Sequence, residues 1–398
     1  MRSISLALAA ALLIAAAPPD ATPADPAAFR ADAESFEPLV NQRYAYLDRF
    51  PGARFTLTPA LAAEAAAVHD HDSLLRFLER GIALLVDHHA ITGSALADSW
   101  GLVPSYADLW AVEDGAGLVV SDVRPAMPAA GKVFPGDRVV AVDGTPIVAA
   151  VAAWWGDLGV AAPTREQREF AARVLLAGRR DRERHLTFAK AGTLTLANLY
   201  SARRALGPQP PVTTTHTGTI TRITLNDSLG VTETIPAFDA AMAAIPPGSR
   251  LELDLTDTGS GGTSTIARAI MGWFTATPRP YQMHASPEEL RATGIARQWA
   301  EYVVPRPGKR WTGPVIVRVG RWTGSMGEGL AVGLDALGIP VCGTPMAGLL
   351  GAIEDNRLDR SGQVVKFPTE RLTTIAGTPR EKFQPRPTGD PACRLPTP

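Results

Sequence analysis

Apolar positions along the chain change their spacing several times, and each change marks a different kind of element. Between residues 24 and about 93 they recur at helical intervals. Residues 61–68 and 74–86 show this best, with Leu, Ala, Glu and Arg as strong helix formers. Residues 117–124 then form a short β-branched run, and residues 134–147 a strand between the turns Pro135-Gly136-Asp137 and Asp143-Gly144. A charged helix is predicted over 164–177, and a hairpin from 185–188 to 193–196 around Lys190-Ala191-Gly192. The stretch 207–212, with three prolines, reads as a boundary. Beyond it, strand and helix patterns alternate: strand 219–225, helix 235–245, strand 251–255, helix 265–274, strand 314–320, helix 327–337 and strand 339–343. Such alternation predicts an α/β domain whose helices cover the sheet.

The chain has 398 residues, enough for two or three domains. Its net charge of -1 predicts no attraction to nucleic acid or to an anionic membrane. With 36 glycines and 34 prolines the chain turns too often for a coiled coil. At the N-terminus Arg2 precedes an apolar, Ala-rich run over 4–17 and then small residues and prolines, the pattern of a secretory signal peptide over 1–23. That run is short for a membrane span, and no later run is longer. The expectation is an exported protein, periplasmic or secreted, with no integral membrane segment once the signal is removed. Export permits a disulfide between Cys342 and Cys393. The expectation is nevertheless a buried, unpaired Cys342 in a strand and an unrelated Cys393 in the tail. No Cys/His group has metal-ligand spacing, so neither a metal nor a cofactor is expected.

One segment carries candidate chemistry. The predicted strand 314–320 runs into Thr323-Gly324-Ser325-Met326-Gly327 and then into a helix with Glu328 in its first turn. A serine held at a helix N-terminus, where backbone N–H groups favour a developing anion, suits a nucleophile whose attack creates an oxyanion. It equally suits a serine that only caps the helix. All seven histidines precede Ser325, and Thr323 stands where a nucleophile elbow has its first glycine. Both features argue against an α/β-hydrolase. Lysines after the serine, Lys366 and Lys382, have no motif around them.

Four stretches together resemble the tail-specific (carboxyl-terminal processing) and tricorn-core serine peptidases, over about residues 74–385. Leu84-Leu-Val-Asp-His-His-Ala90 is similar to the Leu-x-Asp-x-His-Thr stretch of tricorn-type members. Residues 97–165, with small residues, Pro-Gly-Asp, an apolar strand and Asp-Gly in order, resemble a PDZ domain, a class that binds extended peptides by adding a strand to a sheet edge. Leu253-Asp-Leu-Thr-Asp-Thr-Gly-Ser-Gly-Gly-Thr263 is similar to the family's Asp-Leu-Arg-x-Asn-x-Gly-Gly loop. Arg321-Trp-Thr-Gly-Ser-Met-Gly-Glu-Gly329, followed by Gly343-Thr-Pro-Met-Ala-Gly348, is similar to the nucleophile region.

This resemblance implies a Clp protease/crotonase-like α/β catalytic domain over 213–398, an N-terminal helical domain over 24–96, an inserted PDZ-like β-domain over 97–165 and a connecting helix and hairpin over 166–212. Tail-specific members carry a lysine base in Gly-x-x-Thr-x-Gly-Lys-Gly. Here that stretch reads Gly343-Thr-Pro-Met-Ala-Gly-Leu-Leu-Gly351, with leucine in the lysine's place, which favours the tricorn-like arrangement. The resemblance then assigns His89 as general base, Glu381 as the residue that fixes its tautomer, and His88 to the polar position just before the base. It places Met326 and Gly261 or Gly262 in a backbone oxyanion hole. The implied activity is a serine endopeptidase acting on a polypeptide substrate through an acyl-enzyme on Ser325. Ester hydrolysis on the same scaffold and a catalytically silent peptide-binding module remain alternatives.

Overall fold

The computed structural model describes residues 25–101 and 107–396, so the leader over 1–23 lies outside the described residues. The N-terminal part carries α1 (Pro26–Arg43), α2 (Pro59–Ala67) and α3 (His71–Ala83). Helix α3 begins where Asp70 and Ser73 cap each other: the Ser73 N–H donates to Asp70 Oδ1 (2.8 Å) and the Asp70 N–H to Ser73 Oγ (3.0 Å). One face of α3 is buried through Leu74, Phe77, Leu78 and Ile82. The helix stops short of the expected end at 93. Val86 adopts φ 50°, residues 87–89 turn, and β1 (Ile91–Thr92) follows.

The next block holds β2 (Leu109–Glu113), β3 (Leu118–Val123), β4 (Val139–Val142), β5 (Thr145–Pro146), α4 (Ile147–Asp157), α5 (Arg165–Ala177), β6 (Arg184–Phe188) and β7 (Gly192–Leu196). β2 and β3 form a hairpin; β5-β4-β6-β7 form a second, antiparallel sheet. Helix α5 packs on β2 and on α4. The stretch 166–212, expected as a connector, therefore contributes its first helix and its hairpin to this block. The division expected between 165 and 166 falls at the start of α5, just after the loop that joins it to α4.

After α6 (Leu199–Ala205) come β8 (Val212–Thr217), β9 (Ile220–Leu225), α7 (Thr234–Ala243), β10 (Arg250–Asp254) and α8 (Ser264–Met271). Then follow β11 (Arg279–Ser286), α9 (Pro287–Thr293), β12 (Arg297–Val303), β13 (Val315–Val319), α10 (Met326–Ala336), β14 (Val341–Gly343), β15 (Ala352–Arg357) and β16 (Val364–Thr373). The sheet β14-β13-β10-β9 is parallel, with β8 added antiparallel at its edge. Its buried Leu251, Leu253, Val317 and Val319 pack with Ile266 and Ile270 of α8 and Leu330 and Leu334 of α10. This is the α/β alternation the sequence pattern predicts.

The sheet β1-β16-β11-β12, with β15 also on β16, has no counterpart in the expected elements. It matters for the site, because β1 pairs antiparallel with β16 at Ile91–Lys366 and Thr92–Val365. A strand contributed just after the His88-His89 turn is thereby fixed to the C-terminal half. Val365 and Phe367 of β16 join Phe36, Tyr44, Phe77, Trp155 and Phe170 in one core. The N-terminal helices and the β-block share that core, so they are not separately packed units. Trp155 is fully buried in it and donates from Nε1 to Gln167 O (2.8 Å).

The tail corrects the cysteine expectation. Cys342 of β14 is disulfide-bonded to Cys393, with Cα atoms 5.8 Å apart. The reason is backbone pairing beside β14: the Arg386 N–H donates to Val341 O (2.9 Å) and the Gly343 N–H to Arg386 O (2.9 Å). That path carries the tail to the buried Cys342. The bridge closes a loop of separation 51. Cys393→Ser is expected to lower unfolding free energy by about 2–4 kcal/mol, measured by urea titration of the oxidised protein against the variant.

Candidate active site

Ser325 is the residue between β13 and α10, and its backbone is strained, with φ 52° and ψ −116°. Non-glycine residues in that region cost of order 1–3 kcal/mol and need a surrounding structure that holds them. The neighbours supply it. A Cβ on Gly324 would come 3.1 Å from Gly259 O, and one on Gly327 would come 2.6 Å from Thr258 Oγ1, so only glycine lets the turn press against residues 258–259. The Ser325 N–H donates to Glu328 Oε2 (2.9 Å). A sharp strand-turn-helix of this kind lifts a serine hydroxyl out of the backbone.

His89 comes to this hydroxyl across 236 positions: its Nε2 lies 2.9 Å from Ser325 Oγ. Its other nitrogen, Nδ1, lies 2.6 Å from the carbonyl oxygen of Leu350. A carbonyl can only accept, so Nδ1 carries the proton and Nε2 is left as a lone pair facing the serine. His89 is 6% exposed. Burial, and after it the Arg380 charge, lowers its pKa to about 4, so the imidazole is neutral at pH 7.

The turn that presents His89 is built by Asp87, which sequence reasoning noted only as part of a motif. Asp87 Oδ1 accepts from the His89 N–H (2.8 Å), and its Oδ2 accepts from the Tyr44 hydroxyl (2.9 Å). Burial raises the Asp87 pKa to about 6. An aspartate two residues before a turn residue is itself a readable signal for this local bond.

The remaining expected residues separate into those near the serine and those that are not. Gly261, at φ 79°, is so close that a Cβ there would lie 3.0 Å from Ser325 Oγ. Gly262 has a different reason for being glycine: a Cβ there would overlap Leu229 O. Met326 opens α10, and the first N–H of a helix has no acceptor within the helix. His88 turns away. Its ring stacks on Phe170 of α5 at 4.4 Å, and its Nε2 lies 3.3 Å from Arg173 Nη1, so it accepts from the guanidinium. Glu381 does not orient the imidazole either, because Leu350 O occupies Nδ1. One Glu381 oxygen is buried without a hydrogen-bond partner, in the wall of a cleft of about 460 Å³ shared with Tyr46, Asp87 and His88. Lys366 is engaged by Asp355 (2.9 Å) and sits opposite Ile91, not at the serine.

Glu328, which the sequence places only in the first turn of the serine helix, reaches further than that position suggests. It is fully buried and accepts from three amides: Ser325 N–H, Gly348 N–H (2.9 Å) and Leu349 N–H (3.2 Å). Burial raises its pKa to about 7, against the lowering effects of Arg380 and of those amides. Its position three residues after a helix-capping serine is a capping signal, which hides the longer reach. Among the described residues no group of acidic, His or Cys side chains could hold a metal ion, and no helix is long and apolar enough to cross a membrane.

If Gly261 must remain bare beside the hydroxyl, Gly261→Ala should cut the reactivity of Ser325 toward a fluorophosphonate about 100-fold, read as the second-order labelling rate, with the far-ultraviolet circular dichroism unchanged.

No family model matches the chain, and no curated protein matches it in sequence. Solved structures do match in fold. Mature CPAF aligns with TM-score 0.56 at 13% identity, over 91% of this chain and 92% of that one. The photosystem II D1 C-terminal processing protease aligns with TM-score 0.54 at 17% identity, over 90% and 92%. Mature CPAF complexed with lactacystin aligns with TM-score 0.55 at 12% identity, over 91% and 93%. Over about nine-tenths of its length the chain shares the fold of mature CPAF and of the photosystem II D1 C-terminal processing protease.

Proposed function

We propose that the protein is an exported serine endopeptidase that hydrolyses peptide bonds through an acyl-enzyme on Ser325, with His89 as general base. The observation that carries this reading is the pair of bonds on one ring: Nε2 to Ser325 Oγ at 2.9 Å and Nδ1 to Leu350 O at 2.6 Å. Together they present a basic lone pair to a hydroxyl proton.

In this reading Ser325 Oγ attacks the carbonyl carbon of the scissile bond as its proton passes to His89 Nε2. The oxyanion that forms lies at the N-terminus of α10, where the Met326 N–H and a glycine N–H of the 261–262 turn are the donors. His89 then gives its proton to the leaving amine, and the amine departs. Water attacks the remaining ester with His89 again taking the proton, which restores Ser325 and releases the new carboxylate. Each preorganised oxyanion donor is worth roughly 2.7–4 kcal/mol in such sites.

Two features favour a peptide over a simple ester. The fold is that of processing proteases. The sequence over 97–165 resembles a PDZ domain, and strand addition at a sheet edge there would hold an extended peptide. Helix α5 of the β-block reaches the His88-His89 turn through Phe170 and Arg173. Export is supported by the leader pattern and by the buried disulfide, which forms and persists in oxidising compartments.

Purified protein is treated with a fluorophosphonate probe and, separately, with peptide and ester substrates. Labelling should occur on wild type and vanish in Ser325→Ala. His89→Ala should lose roughly 1,000-fold or more of the rate. Labelling that persists in Ser325→Ala, or that depends on Lys366 and not on His89, would overturn the assignment. Ester turnover without peptide turnover would assign the scaffold to ester hydrolysis, and no labelling at any pH would leave a binding module.

The His89 pKa sets one limb of the pH profile. The base form is the neutral one, and its pKa is lowered to about 4. The His89 limb should therefore lie near pH 4 and not in the ordinary histidine range, measured as kcat/KM against pH; protonation of Glu328, whose pKa is raised to about 7, adds a separate limb above it. A single acid limb near 6.5 that persists in both Glu328→Gln and Asp87→Asn would contradict the buried, neutral imidazole.

A further inference from the structure

In this site the acceptor on the base is a main-chain carbonyl, not a carboxylate. A carbonyl orients an imidazole only as well as its own loop is held. Residues 348–351 are held from two sides by buried groups of opposite charge. On one side Glu328 accepts from the N–H groups of Gly348 (2.9 Å) and Leu349 (3.2 Å), and from that of Ser325 (2.9 Å). On the other side Arg380, 3% exposed, donates from Nη2 to Leu349 O (3.0 Å) and to Gly351 O (2.7 Å). Those two carbonyls flank Leu350, whose own carbonyl binds His89 Nδ1.

We propose that Arg380, acting with Glu328 through the 348–351 loop, is the positioning residue of this site and does the work that an acid does in a Ser-His-acid triad. It fixes the carbonyl that fixes the ring, without touching the ring. The proposal rests on the acyl-transfer reading above and adds the residue that sets the base's geometry.

Three observations bear on it. First, one guanidinium nitrogen bonding two carbonyls two residues apart constrains the loop more than a solvated arginine could, because both bonds are charge-assisted and buried. Second, the same carboxylate that holds the loop also holds the Ser325 N–H, so nucleophile and base are referred to one rigid group. Third, Arg380 is delivered by the tail. It begins the 3₁₀ turn Arg380–Lys382, which packs on α10, and the chain then runs beside β14 to the Cys342–Cys393 bridge. The base, the nucleophile and the tail are thus linked through one loop. Glu381, next in the chain, lies against the cleft and makes none of these contacts.

The test uses the full chain, with peptide hydrolysis and fluorophosphonate labelling as readouts. In Arg380→Ala, kcat should fall about 100-fold at unchanged KM, since a displaced base loses alignment and not substrate affinity. Guanidinium chloride at low, non-denaturing concentration should recover part of that loss by occupying the vacated space. The thermal midpoint should identify a folded variant. Wild-type turnover in folded Arg380→Ala, or a loss that guanidinium leaves unchanged, overturns the proposal. If Arg380→Ala does not fold, Glu328→Gln decides: it keeps the volume, yet its amide cannot accept from all three N–H groups. A fall in kcat at unchanged KM supports the proposal, and a wild-type rate overturns it. Failure of the underlying reading is a separate result, because wild-type protein would then not label at Ser325 at all.

Discussion

Everything in this structure that concerns chemistry converges on the His89 ring, which bonds two remote segments at once. Its backbone hangs from Asp87, its Nε2 meets Ser325, and its Nδ1 meets Leu350 O. A buried neutral imidazole offers one donor and one acceptor, and both are used here. The carbonyl decides the tautomer, the tautomer leaves a lone pair at Nε2, and the strained Ser325 places its hydroxyl there. Removing any one of these constraints leaves the other two without purpose.

The arrangement is built from buried polar groups that would be costly alone. Glu328 is acceptable in the interior because three amides and the nearby Arg380 charge partly offset its desolvation. Asp87 is acceptable because Tyr44 and a backbone N–H bond it, with Arg49 close by. The glycines at 261, 324 and 327 belong to the same logic. Each removes a side chain so that two backbone segments can approach the serine turn. The site is therefore a packing solution as much as an electrostatic one.

The same packing relates the N-terminal helices, the β-block and β16. They share a core containing Phe36, Phe77, Trp155, Phe170 and Phe367, and the His88-His89 turn lies between that core and the α/β domain. His88 belongs to the first and His89 to the second. Two adjacent histidines thus have unrelated surroundings, one stacked on a helix of the β-block and one facing the Ser325 hydroxyl.

The order of local patterns along the chain was enough for the parallel sheet, α3, α5, α8, α10 and the serine turn, because each rests on periodicity, caps and glycines within a few residues. It was enough also for the pairing of His89 with Ser325, through motif resemblance. It was not enough for β11, β12, β15 and β16, whose polar, irregular segments take their identity from partners far away. Nor could it assign Nδ1 of His89. Glu381 has the right charge, but a main-chain carbonyl reached the nitrogen first, and carbonyls have no sequence signature. The disulfide and the Glu328–loop–Arg380 clamp belong to the same class. They depend on where the tail crosses β14 and α10, and long-range backbone placement is decided only when the whole core closes.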